Sequence, residues 1–151
     1  MASIKTALAN SALFSKLSDE ELDRVASLSR QEVYPEGTLL FSEGTMASDL
    51  YIVGAGQVAV EMKLAVYAGL VQKATVEVIL EGDAFGWSAV LGSLIYTLSA
   101  RALEPVRVIA IDGERLHSLL EGNPDMGYRV MTALVEVVSS RVSSIKKTLV
   151  V

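Results

Sequence analysis

The sequence predicts a mainly β fold, a sandwich or roll, flanked by helices and ended by one long C-terminal helix. Three observations predict it. Between Gln31 and Ile111 apolar residues alternate with a period near 2, in short runs separated by glycine turns. Before Gln31 and after Asp112 the period is helical. From Met126 onward one apolar stripe continues to the end of the chain. The 151 residues and 16.1 kDa suit one domain with a sizeable core. With 51% hydrophobic and 21% charged residues, intrinsic disorder is excluded.

The elements follow in order. Ala7 to Leu17 is expected to form a short helix that packs through Leu8, Leu13, Phe14 and Leu17. Ser18-Asp19-Glu20-Glu21 is a capping box, and Leu22, Val25, Ala26 and Leu28 continue as the apolar stripe of a second helix. The period then changes. Glu32-Val33-Tyr34 runs into the turn Pro35-Glu36-Gly37, and Thr38 to Phe41 is a strand ended by Ser42-Glu43-Gly44. Leu50 to Val53 is a buried strand, and Gln57 to Met62 and Thr75 to Leu80 are two arms of a hairpin with its tip at Tyr67-Ala68-Gly69. Leu94 to Ala100 and Val106 to Ile111 complete the strands. Asp112 is the N-cap of a helix over Gly113 to Leu120, with Gly122 just past its end. Asn123-Pro124-Asp125 opens the last helix, with Asn as N-cap and Pro at the first position. Met126, Val130, Leu134, Val138, Val142, Ile145 and Leu149 recur along it at spacings of 4, 4, 4, 4, 3 and 4. No second long amphipathic helix exists to cover that stripe. It must meet the roll or a second copy of itself, and a symmetric homodimer through this helix is expected.

Composition limits the chemistry. There are no cysteines, so disulfides, thiolate metal sites and a cysteine nucleophile are excluded. The single histidine, His117, lies off the Leu116, Leu119, Leu120 face and is read as a surface residue. No catalytic constellation, metal site or cofactor is expected, and Gly54-Ala55-Gly56 lacks the lysine and helix of a phosphate loop. The net charge of −5 divides unevenly: residues 1–125 balance at −8, and residues 126–151 at +3. A phosphate backbone would be repelled by most of this surface. No signal peptide or membrane helix is visible, because the longest charge-free stretch, Ala84 to Ala100, is 17 residues and interrupted by glycine and serine. A cytoplasmic location is expected.

Several segments carry a family resemblance. Leu13 to Leu22, Tyr34 to Gly44, Leu50 to Val53 with Gly56-Gln57-Val58, Gly82-Asp83-Ala84-Phe85-Gly86 and Asn123-Pro124-Asp125 stand in the order and spacing of the cyclic-nucleotide-binding domain. The chain resembles most the sensor half of the catabolite activator superfamily. The resemblance implies an eight-stranded jelly roll, or double-stranded β-helix, over residues 1–125 and a dimerisation helix over 126–151. It implies a non-enzymatic, regulatory, signal-transducing role. The superfamily usually adds a winged helix-turn-helix. The sequence ends at Val151 with the last helix, so a stand-alone sensor without direct DNA binding is expected.

In the family, a short helix after Phe-Gly presents amides to the cyclic phosphate, a glutamate holds the ribose hydroxyl, and an arginine beside a hydroxyl residue pairs with the phosphate. Here the glycine is Gly86, followed by Trp87 rather than glutamate, then Ser88 and Ala89. With one deleted residue in the loop, the arginine position falls on Tyr96 and its neighbour on Thr97. The Trp87 indole is only a donor, and Tyr96 is uncharged at pH 7. A charge-assisted pair is roughly twice as strong as a neutral hydrogen bond. Weak or absent binding of cAMP and cGMP follows, and a different small ligand is expected at Gly86, Trp87, Ser88, Ala89, Tyr96, Thr97 and Arg141. Arg101 is five residues past Tyr96 and is placed on the opposite face. Arg141 has two readings, a donor fork for an acidic ligand or a surface arginine on the dimer helix. Trp87 also has two, a wall that stacks on an aromatic ligand or a plug that closes the roll, in contact with Tyr96. The rival to a sensor is a ligand-free dimerisation and protein-interaction domain, with Leu64-Ala65-Val66-Tyr67-Ala68-Gly69-Leu70-Val71 as its contact patch.

Overall fold

The computed structural model describes residues 3–149 apart from residue 93, with no side chain described at residues 66 and 147–149. Helices α1 (Ile4–Ala9) and α2 (Asp19–Ala26) open the chain. Strands β1 (Ser29–Tyr34), β2 (Leu39–Phe41), β3 (Asp49–Ala55), β4 (Val58–Tyr67), β5 (Leu70–Ile79), β6 (Ala84–Phe85), β7 (Ser99–Ala102) and β8 (Val106–Asp112) follow, and α3 (Gly113–Gly122) and α4 (Pro124–Leu149) end it. The strands form two four-stranded antiparallel sheets, β1-β8-β3-β6 and β2-β7-β4-β5. This is the expected mainly β roll with a long terminal helix.

The first sheet is buried on both faces, and its sequence explains how. Along β3, Tyr51 and Val53 enter the core between the sheets, while Leu50 and Ile52 face the helices. Along β8, Val106, Val108 and Ala110 point inward and Ile109 and Ile111 outward. Strict alternation of two apolar sets produces an uninterrupted apolar run. The helices meet the outer face through Leu8, Leu22, Val25, Leu116, Met126 and Val130, joined by Phe14 from the stretch between α1 and α2.

Local signals decide the helix ends. Ser18 Oγ accepts from Glu21 N at 3.2 Å and Ser18 N donates to Glu21 Oε1 at 2.9 Å, closing the capping box. Glu21 also takes both Arg129 Nη groups at 2.8 and 2.7 Å, which ties α2 to α4. Asp112 accepts from Arg115 N at 3.0 Å and caps α3 as expected. Asn123 does not use its side chain to cap α4. Its amide nitrogen donates to Leu119 O at 2.8 Å, and its oxygen accepts from Arg24 at 3.2 Å.

Five boundaries differ from expectation, one being the end of α3, which runs through Gly122 to a C-cap at Asn123 instead of stopping at Leu120. The first helix is Ile4–Ala9, and Leu13, Phe14 and Leu17 are buried from the irregular stretch after it. The second helix stops at Ala26, so Ser29 and Arg30 already belong to β1. The hairpin arms run further than the alternation signalled, to Tyr67 and from Leu70, with Gly69 at φ +80° in the turn. The segment from Leu94 is a loop with one bridge at Ile95, and regular pairing begins only at Ser99.

Candidate functional site

The candidate site is the loop between β6 and β7 together with the part of α4 that carries Arg141 over it. It starts at Gly86, which takes a left-handed backbone at φ +75°. A Cβ there would lie 3.2 Å from Asp49 O and 3.3 Å from the rings of Phe41 and Tyr51, so glycine is needed for both torsion and space. Trp87–Ala89 is a single 3₁₀ turn rather than an α-helix. So short a piece adds little dipole attraction for an anion.

Tyr96 is buried and carries the closing interactions. Its hydroxyl donates to Asp49 O at 2.7 Å and accepts from Asp49 N at 3.0 Å. Its ring stacks on Phe41 at 3.7 Å between centroids, and Phe41, Tyr51 and Phe85 continue the stack. Burial pushes the Tyr96 and Tyr51 hydroxyls above their ordinary pKa, so both are neutral. Tyr96 therefore occupies its place as an apolar ring with a fully used hydroxyl. Tyr96 and Trp87 border the same space, and the stacking partner of the Tyr96 ring is Phe41. No sequence signal marked Phe41, an aromatic in an ordinary strand pattern.

Trp87 is instead covered by Arg141. The guanidinium carbon lies 4.6 Å from the indole centroid, and Nη2 donates to Ala84 O at 2.9 Å. Arg141 is part-buried, and burial lowers its pKa, with Glu77 and Asp83 opposing. Its other N–H groups have no acceptor among the described residues. Arg141 is thus half-buried, its side chain reaching from α4 over Trp87 to Ala84 O of β6.

Phe41, Phe85, Gly86, Trp87, Ser88, Tyr96, Thr97 and Arg141 line what space remains, a void of about 50 Å³. Pockets that hold drug-sized ligands have about 300–1,000 Å³. Arg141 also borders a groove of about 250 Å³ along α4, lined by Glu77, Asp83, Glu136 and Ser140. Six of the seven residues singled out from sequence thus meet in one place. Ala89 is the exception: it faces away, and Gly113 packs so closely on it that a Cβ would come within 2.4 Å of Ala89 O. Arg101 is outside, paired with Glu61 and bonded to Gly37 O. His117 is exposed, with Nδ1 2.9 Å from Val90 O. Among the described residues no cluster of three His, Cys, Asp or Glu is placed to hold a metal, and no helix is long and apolar enough to cross a membrane.

Comparison with known proteins places this arrangement. The family model described as cyclic nucleotide-binding domain matches residues 31–123. A crystal structure of a Geobacter metallireducens GS-15 protein assigned as cyclic nucleotide-binding is 32% identical, with a TM-score of 0.78, covering 94% of this chain and 99% of that one. The catabolite activator protein of Thermus thermophilus is 26% identical with a TM-score of 0.73, covering 92% of this chain and 62% of that one. The cGMP-dependent protein kinase egl-4 of Caenorhabditis elegans is 26% identical over 110 residues, 72% of this chain but only 14% of the kinase.

Proposed function

The chain belongs to the cyclic nucleotide-binding domain family, and from that premise we propose that it is a non-enzymatic regulatory domain that senses a small anionic ligand other than cAMP or cGMP. One observation carries the reading. Arg141, on the helix that would transmit the signal, sits at the remnant pocket with one hydrogen bond and a desolvated, mostly unused donor fork. A half-buried cation with donors unused by the protein favours an acidic partner. Such a ligand would draw Arg141 from Ala84 O and Trp87 and shift α4. Gly86, Ser88 and Thr97 would supply the remaining contacts, and Ala89 would act through packing. Cyclic nucleotides are disfavoured by the void of about 50 Å³ and by Tyr96 and Trp87 at the two anchor positions.

The signal would pass to a second copy. Met126, Val130 and Leu134 are spent on the chain's own core. Tyr128, Val135 and Val142 are 74%, 67% and 59% exposed, and with Met131, Val138 and Ile145 they follow heptad spacing. That seam, rather than the whole stripe expected from sequence, is proposed as the homodimer contact. The Leu149 side chain lies outside the described residues. A cytoplasmic setting completes the reading.

The small void favours a second reading, a ligand-free dimerisation and protein-interaction domain. Its contact patch would be the hairpin end, where Leu64, Tyr67, Leu70 and Val71 are exposed; the Val66 side chain lies outside the described residues. One experiment separates the two. Thermal shift and Trp87 fluorescence are recorded with cAMP, cGMP, 2-oxoglutarate, citrate, phosphate and pyrophosphate. The sensor reading expects no response to cyclic nucleotides and a response to an acid that Arg141→Ala removes. Micromolar cAMP affinity would overturn it, and silence toward every acid would leave the second reading. Trp87→Glu with Tyr96→Arg is expected to raise cAMP affinity at least tenfold, about one contact's 1.4 kcal/mol. Sedimentation of Val135→Asp with Val142→Asp is expected to show monomer where the parent shows dimer.

A further inference from the structure

A second cavity, of about 390 Å³, lies on the outer face of the first sheet where the helical layer stops, between α1, the β5–β6 turn and the start of β8. Its base is Gly54 and Ile109. The half-buried Arg107 and the exposed Asn10, Gln31 and Glu81 border it, and none of these side chains has a hydrogen-bond or ion-pair partner among the described residues. Thr6 also borders it, but its hydroxyl is bonded to Ser3 Oγ at 2.8 Å.

The backbone is shaped around Arg107. The register between β3 and β8 slips between Val53 and Ala55, which makes Gly54 the extra residue beside Arg107. Bulges re-aim side chains and bend the strand locally. Gly54 has no positive φ, so torsion does not require glycine there. Space favours it: a Cβ would stand a tight 3.2 Å from Arg107 O and in ordinary contact, 3.5 Å, with its Nε. The chain thus bulges beside Arg107, and no carboxylate among the described residues takes up its guanidinium. A guanidinium fork matches a carboxylate with two parallel hydrogen bonds. Glu81 supplies the opposite charge at the rim, and two carboxamides offer both donors and acceptors.

We propose that this cavity binds a small zwitterion of the α-amino-acid class, its carboxylate on Arg107, its ammonium on Glu81, and Asn10 and Gln31 alongside. The site is separate from the cassette and does not depend on the function proposed above. The test is amide NMR and calorimetry on the full chain with each of the twenty L-amino acids, and with acetate, methylamine and phosphate as partial probes. At least one amino acid is expected to give saturable shifts at Gly54, Gly82 and Arg107 Nε, at least tenfold tighter than acetate. Arg107→Lys, which keeps the charge and fold but loses the fork, is expected to weaken binding tenfold or more. Glu81→Gln is expected to reduce it to the acetate level, and Arg141→Ala to leave it unchanged. The proposal is overturned if no amino acid saturates, if phosphate binds more tightly, if Arg107→Lys has no effect, or if Arg141→Ala abolishes the shifts.

Discussion

Tyr96→Phe tests the closed pocket most directly. The change deletes one oxygen and keeps the ring on Phe41, so the 3.7 Å stack survives. What disappears is a donor to Asp49 O and an acceptor for Asp49 N, at 2.7 and 3.0 Å in a buried setting. Each buried polar group left without a partner costs about 1–3 kcal/mol. Two such groups, partly relieved by local adjustment, set the loss at about 2–4 kcal/mol. In a chain of this size about 1 kcal/mol moves Tm by about 2–4 °C, so a fall of roughly 5–15 °C is expected. Urea titration followed by Trp87 fluorescence reads it as a lower midpoint with an unchanged slope. Thr97→Val is the control: Thr97 is exposed and its hydroxyl makes no bond among the described residues, so its effect should stay within about 0.5 kcal/mol. If Tyr96→Phe costs no more than Thr97→Val, the hydroxyl does not hold the pocket shut and the argument from Tyr96 fails.

Two further outcomes follow from other parts of the molecule. The Arg129 guanidinium, with help from Ser18 N, lowers the Glu21 carboxyl from 4.5 to about 2. A depressed carboxylate adds stability above its unfolded pKa and loses it as pH falls through the folded value. Unfolding free energy should therefore decline between about pH 5 and pH 2, and Glu21→Gln should flatten that decline while lowering stability at pH 7; an unchanged acid limb would refute the pairing. Two glycines of α3 should respond with opposite signs. Gly113→Ala places a Cβ within 2.4 Å of Ala89 O and is expected to cost about 1–3 kcal/mol, whereas Gly122→Ala meets nothing within 4 Å and should gain about 0.5–1 kcal/mol. Equal effects in thermal melts would contradict the packing of α3 on the loop.

Much of the fold was readable because its signals are local. The capping box at Ser18, the Asp112 cap and the Gly69 turn depend on residues within a few positions of one another, and each formed. The hairpin arms were read short because beyond Met62 the strands are held by pairing with each other rather than by a buried face, so alternation fades while the ladder continues. Leu94 to Leu98 carries strand-forming residues but is drawn out of the sheet by Tyr96, whose side chain is held by Asp49. Asn123 has the identity of a cap, and Arg24, distant in sequence, takes its oxygen.

By itself the sequence determined the roll and the long helix, and it put the rings of Trp87 and Tyr96 in the segment between β6 and β7, since residue type and order suffice for these. Only the tertiary structure decided what those rings do. Tyr96 found Phe41 and Asp49, Trp87 found Arg141, and Ala89 turned toward Gly113. It also divided α4, burying Met126, Val130 and Leu134 while leaving Val135 and Val142 exposed. These outcomes depend on which surfaces meet across long stretches of chain, and periodicity along one element carries no record of the element packed against it.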